Sequence, residues 1–85
     1  MFAGEEEILI SQIYKSEILI KEGNFDEAIK LTDSILDDKK NEKYKKIKLD
    51  TLILKARIQI ALGELAEAES CIQSAENLLV KIGEI

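Results

Sequence analysis

The chain has 85 residues, 17 acidic against 12 basic, for a net charge of −5, and it contains no histidine, proline or tryptophan. A chain this short supports one small domain, and its acidity disfavours non-specific attraction to nucleic acid or to anionic lipid. Without histidine and with a single cysteine, Cys71, the sequence excludes histidine-based triads, the usual zinc sites and an intramolecular disulfide; the lone thiol fits a reducing, cytoplasmic compartment.

The amino-terminal MFAGEEE has neither the basic nor the apolar region of a signal peptide, and no apolar run approaches the roughly 18 residues that span a bilayer. A first helix is expected from Glu5 to about Glu22. Glu5, Glu6 and Glu7 sit in its first turn, where carboxylates favour the positive end of the helix dipole. Ile8, Leu9, Ile10, Ile13, Tyr14, Ile18 and Ile20 spread over more than half its circumference, wider than a simple amphipathic stripe. Gly23 supplies the left-handed cap, and Asn24 with Glu27 has the spacing of a capping box for the next helix.

That second helix is expected from Phe25 to about Asp38, with Phe25, Ala28, Ile29, Thr32, Ile35 and Leu36 at i, i+3, i+4 spacing. The polar stretch DDKKNEKYKKIK reads as a short loop near Lys39 to Asn41 and then the start of a third helix. The third helix runs to Leu62, carrying Tyr44, Ile47, Leu49, Leu52, Ile53, Ala56 and Ile60, and Gly63 closes it. A fourth runs from Glu64 or Leu65 to Ile82 with Ala68, Ile72, Ala75, Leu79 and Ile82 on one face, and Gly83 after it.

The two halves repeat. Shifted by forty residues, Leu9 falls on Leu49, Ile13 on Ile53, Lys15 on Lys55, Ile18 on Ile58, Gly23 on Gly63, Ala28 on Ala68 and Ser34 on Ser74. A period of this length marks a stacked array whose units cannot bury their apolar faces alone. The expected fold is therefore all-α: a single domain over 1–85, two helix–turn–helix units at about 5–38 and 42–82, and four antiparallel helices in a superhelical or bundle-like arrangement. Ser16, Ala28, Ala56 and Ala68 are small enough to let helix axes approach.

The segments GNFDEAI, from Gly23 to Ile29, and GELAEAE, from Gly63 to Glu69, resemble the turn and second-helix start of tetratricopeptide repeats. Gly23, Phe25 and Ala28, like Gly63, Leu65 and Ala68, match that family's glycine, large apolar and small positions. Ser16 and Ala56 stand where it places a small residue in the first helix. The chain departs from the family in its forty-residue period, against the usual thirty-four or so. Gln12 and Leu52 also replace an early aromatic, and no proline follows the second helix.

The resemblance implies a concave surface lined by the first helix of each unit. Ile10, Ile13, Tyr14, Glu17, Ile20 and Lys21 would come from one unit, and Asp50, Ile53, Leu54, Arg57, Ile60 and Ala61 from the other. With Ile13, Tyr14, Ile53 and Leu54 at the places where family members hold a peptide carboxylate, no carboxylate clamp is expected. The apolar groove suits an amphipathic helix or apolar segment of a partner protein, with Glu17, Lys21, Asp50 and Arg57 setting orientation.

Such a chain reads as an interaction module or scaffold. The last helix ends LLVKIGEI, and Leu78, Leu79, Val80, Ile82 and Ile85 are expected at an exposed apolar edge, which points to a homodimer or larger homo-oligomer through Leu78, Leu79 and Ile82. The alternatives are a homodimer closed into one helical bundle with no separate groove, or a piece of a longer array. The lysines Lys39, Lys40, Lys43, Lys45, Lys46 and Lys48 lie among Asp37, Asp38 and Glu42 and read as a solvated surface. Cys71 reads as packing, with no cation evident beside it. No catalysis, cofactor, metal, nucleic-acid or membrane role is expected.

Overall fold

A computed structural model describes residues 4–83. Ile85, expected at the apolar edge, and the first residues of MFAGEEE lie outside the described residues. Four α-helices follow in order: α1, Glu5–Lys21; α2, Phe25–Asp37; α3, Lys45–Ala61; and α4, Leu65–Lys81. The expected all-α class holds, and among the described residues there is no strand. α1 and α3 coincide to the residue under the forty-residue shift.

The turns coincide as well. Gly23 and Gly63 both take φ of 79°, a left-handed conformation that costs a residue with a side chain roughly 1–2 kcal/mol. After α1, the Asn24 N–H donates to the Leu19 carbonyl at 2.8 Å and the Gly23 N–H to that of Ile20 at 3.0 Å. After α3, the Glu64 N–H donates to the Gln59 carbonyl at 2.8 Å and the Gly63 N–H to that of Ile60 at 3.0 Å. This paired pattern satisfies carbonyls that a helix end leaves bare, and it reverses the chain within a few residues. Each helix must then pack antiparallel to the one before it.

The expected capping box at Asn24 does not form. An N-cap side chain reaches back to the first helical N–H groups from an extended backbone, and Asn24 has ψ of 65°. Its amide donates to Glu22 Oε1 at 3.4 Å instead. At the start of α1, by contrast, the Glu7 carboxylate does accept from the Gly4 N–H. The expected loop near Lys39 to Asn41 is a 3-10 helix, Lys39–Lys43. Asp38 accepts from the Lys40 N–H at 3.0 Å, and the Asn41 amide donates to the Ile35 carbonyl at 3.0 Å. The polar side chains thus satisfy backbone groups at the end of α2, and the chain stays ordered between the two halves.

α3 packs against α1, α2 and α4, whereas α4 rests mainly on α3, with Leu36 of α2 at the edge of their shared core. Leu9, Ile13, Ile35, Ile47 and Leu54 form one core where α1, α2 and α3 meet, and Leu19, Ala28 and Ile58 form a second near the first turn. Leu49, Leu52, Ala75 and Leu78 form the core between α3 and α4. Ser16, Ala28, Ala56 and Ala68 are all buried, as their size led us to expect. The buried hydroxyls are satisfied within their own helices: Ser16 donates to the Gln12 carbonyl, Thr32 to that of Ile29 and Thr51 to that of Ile47.

Two features of α3 yield predictions. Gln59 is buried where the first half has Leu19, and its Oε1 accepts no hydrogen bond. An unpaired buried polar atom costs about 1–3 kcal/mol, so Gln59→Leu should raise the urea midpoint at unchanged slope, a gain in unfolding free energy of about 1 kcal/mol or more. Lys55 on α3 forms an ion pair with Asp33 on α2 at 2.6 Å. Partial burial pulls the Lys55 pKa down, but the hydrogen bond and charge of Asp33, with Cys71 and Asp37 beyond it, outweigh this and hold the group above its usual 10.5. A pKa raised on folding contributes stability in full below the unfolded value and loses it as pH climbs through the folded one. Denaturation curves should therefore give the wild type an advantage of about 0.5–1 kcal/mol over Lys55→Met at neutral pH. That advantage should stay level up to pH 10.5 and shrink above it.

Candidate functional site

Side by side, α1 and α3 leave a groove between their faces that are turned away from α2 and α4. Ile10, Ile13, Tyr14 and Glu17 line it from α1, and Ile47, Asp50, Ile53, Leu54 and Arg57 from α3, around a volume of about 500 Å³ open to solvent. The groove exists because each of these helices is apolar beyond the stripe that its hairpin partner covers. Its floor is Ile13, Ile47 and Leu54, which are buried and belong to the core shared with α2. Its walls are Tyr14, 63% exposed, Ile53, 46% exposed, and Ile10, 37% exposed. Glu17 and Asp50 place carboxylates at the rim and Arg57 a guanidinium; among the described residues none of the three is held in an ion pair.

The structure thus brings together Ile10, Ile13, Tyr14, Glu17, Asp50, Ile53, Leu54 and Arg57. It leaves out four expected members. Ile20 is half-buried against the two cores around α1 and α2, Lys21 is exposed in the last turn of α1, and Ile60 is exposed beyond the groove. Ala61, the last residue of α3, is exposed and also outside it. Ile47 was not foreseen as a lining residue, because its counterpart in the first half is Glu7. Its i, i+7 spacing from Leu54 was the available signal.

Of the apolar edge expected on α4, Val80 is exposed and Leu79 and Ile82 partly so, and Leu78 alone departs from the expectation. Leu78 is buried in the core with Leu49, Leu52 and Ala75, and Leu79 and Ile82 pack half-buried against the same cluster. α3 carries a second apolar side, so α4 turns Leu78 inward rather than out. The exposed apolar residues of α4 are Leu65, Ile72 and Val80.

The lysine stretch is partly neutralised in place. Lys48 pairs with Glu42 at 3.4 Å and Lys43 with Glu5 at 3.6 Å. The Tyr44 hydroxyl donates to the Glu5 carboxylate at 3.0 Å, which raises the tyrosine pKa above its usual value. These contacts tie the start of α1 to the start of α3. Cys71 is half-buried, and contrary to expectation a cation lies within electrostatic reach of it: the Lys55 ammonium. Among the described residues no group of metal-ligating side chains gathers, and no helix is long and apolar enough to cross a membrane.

Floor and wall are distinguishable by mutation. Leu54→Ala should destabilise the fold by about 2–5 kcal/mol, since it opens a cavity in the shared core. Ile53→Ala, at the half-exposed wall, should cost about 1 kcal/mol or less. Equal losses in denaturant titrations would show that the wall, too, is structural. No protein-family model matches this chain, and neither a curated protein nor a solved structure does.

Proposed function

We propose that this chain is a protein-interaction module whose groove between α1 and α3 takes the apolar face of a partner's amphipathic helix. One observation carries the reading: Tyr14, Ile53 and Ile10 stand exposed around a floor that is already rigidly packed. Exposed apolar side chains over a preformed concave floor are what a helix needs to bury its own apolar stripe at low reorganisation cost. The tetratricopeptide-like turns at Gly23 and Gly63 support the same assignment, since in that family the first helices of the units form the binding surface. Glu17, Asp50 and Arg57 would contribute orientation more than affinity, because rim charges remain solvated. In this reading the protein is a cytoplasmic scaffold rather than an enzyme, it uses neither cofactor nor metal, and its partners are proteins rather than nucleic acid or membrane.

The test is selection of helical peptides from a displayed library, followed by fluorescence anisotropy of the selected peptides. Tyr14→Glu and Ile53→Glu should each weaken binding at least tenfold with circular dichroism unchanged. Selected peptides that bind both variants as tightly as the parent would place the site elsewhere. Loss of helicity or of a native dimer in the same variants would favour a homodimer closed into one bundle.

A further inference from the structure

We infer that the groove selects the direction of the helix it takes: the partner's helix runs antiparallel to α1 and α3, with an acidic residue seven positions before a basic one on the flank that faces α3. This deepens the groove reading and rests on it. The two groove helices lie side by side in register. The Tyr44 hydroxyl donates to the Glu5 carboxylate at 3.0 Å and Lys43 pairs with it at 3.6 Å, so the starts of α1 and α3 lie together. Further along, Leu9 and Ile13 share a core with Ile47 and Leu54. The helices are therefore parallel, with Ile10 level with Asp50 and Glu17 level with Arg57.

The charges of the groove are unevenly placed along it. At the end where α1 and α3 begin, the exposed carboxylate of Asp50 stands level with apolar Ile10, and among the described residues no basic group lines that end. At the other end Glu17 and Arg57 stand level, and among the described residues Arg57 is the one cation that lines the groove. Asp50 and Arg57 are seven residues apart on α3, two helical turns or about 10.5 Å along one side of it. Tyr14 and Ile53 present exposed apolar surface between them.

A helix laid on this surface answers both α3 charges in one of two ways. Run antiparallel, it brings its amino-terminal half to Arg57 and its carboxy-terminal half to Asp50, so its acid comes first and its base seven residues later. That order suits the partner's own dipole, which favours carboxylates near the amino end and cations near the carboxyl end. Run parallel, the same complementarity demands the base first and the acid last, an order the partner's own dipole opposes. Charge complementarity and helix stability agree in the antiparallel direction alone. Positions three and four after the acid then fall between the two charges on the same face, where apolar side chains meet Tyr14 and Ile53. Rim charges of this kind fix register and suppress the wrong arrangement more than they add affinity.

The probe is a displayed library built on one amphipathic helix of about five turns. It has a fixed leucine stripe, and Glu, Gln or Lys is allowed at two flanking positions seven residues apart. Affinity is read by fluorescence anisotropy at low salt, and direction by paramagnetic broadening from a nitroxide at either end of the selected peptide. Peptides with Glu first and Lys second should bind about tenfold more tightly than the reversed pair, a margin that shrinks as salt is added. Asp50→Lys combined with Arg57→Glu, both at exposed positions, should invert that preference with circular dichroism unchanged. A nitroxide at the peptide's amino terminus should broaden the Ala61 amide, and one at its carboxyl terminus the Ile47 amide. Binding that Tyr14→Glu abolishes, but that shows neither the order preference nor its inversion, overturns the direction and leaves the groove reading standing. Broadening at the opposite ends does the same. Binding that Tyr14→Glu leaves intact, or a library without a binder, overturns both.

Discussion

Everything in this structure depends on α3 being packed on three sides at once. Helices in small domains ordinarily bury one stripe, but α3 buries Ile47 and Leu54 towards α1 and α2, Ile58 towards the first turn, and Leu49 and Leu52 towards α4. A helix so committed cannot be strongly amphipathic, and its own sequence does not say which apolar residues face which neighbour. The other helices find their places by covering it. α4 rests mainly on α3, so its inward row of Ala75 and Leu78 fits the Leu49 and Leu52 side, with Leu36 of α2 closing the edge.

Close approach is what makes that packing possible. Ala28, Ala56 and Ala68 remove side-chain bulk at the crossings, and Ser16, Thr32 and Thr51 add hydroxyls that return their hydrogen bonds to the preceding turn. A buried hydroxyl satisfied this way costs little and needs no partner across the interface. Gln59, on the same crowded helix, is buried without such a bond to its Oε1.

Stability and recognition divide the same helices between them. The floor of the groove belongs to the core and is occupied in folding; only the walls, Ile10, Tyr14 and Ile53, retain surface to offer a partner. The charges follow a similar division. Lys43, Lys48 and Lys55 are drawn into pairs that hold elements together, while among the described residues Glu17, Asp50 and Arg57 stay outside such pairs around the groove.

The sequence alone determined the helices, their order and their turns. Hydrophobic spacing and glycine position act within a few residues, and Gly23 and Gly63 sit where only a left-handed turn lets the chain reverse. Most of the groove was legible too, because the resemblance to tetratricopeptide repeats, matched residue by residue, implied Ile10, Ile13, Tyr14 and Glu17 and their partners on α3. The tertiary structure decided what local pattern cannot carry. It turned Leu78 inward, because α3 offered a second apolar side that α4's own sequence does not reveal. It cancelled the Asn24 cap through a backbone angle set by the turn, and it ordered the polar connection by matching Asp38 and Asn41 to backbone groups nearby. It also separated floor from wall: Leu54 and Tyr14 are counterparts in the repeat, yet one is covered by α2 and the other is not, a difference set by which neighbour each helix has.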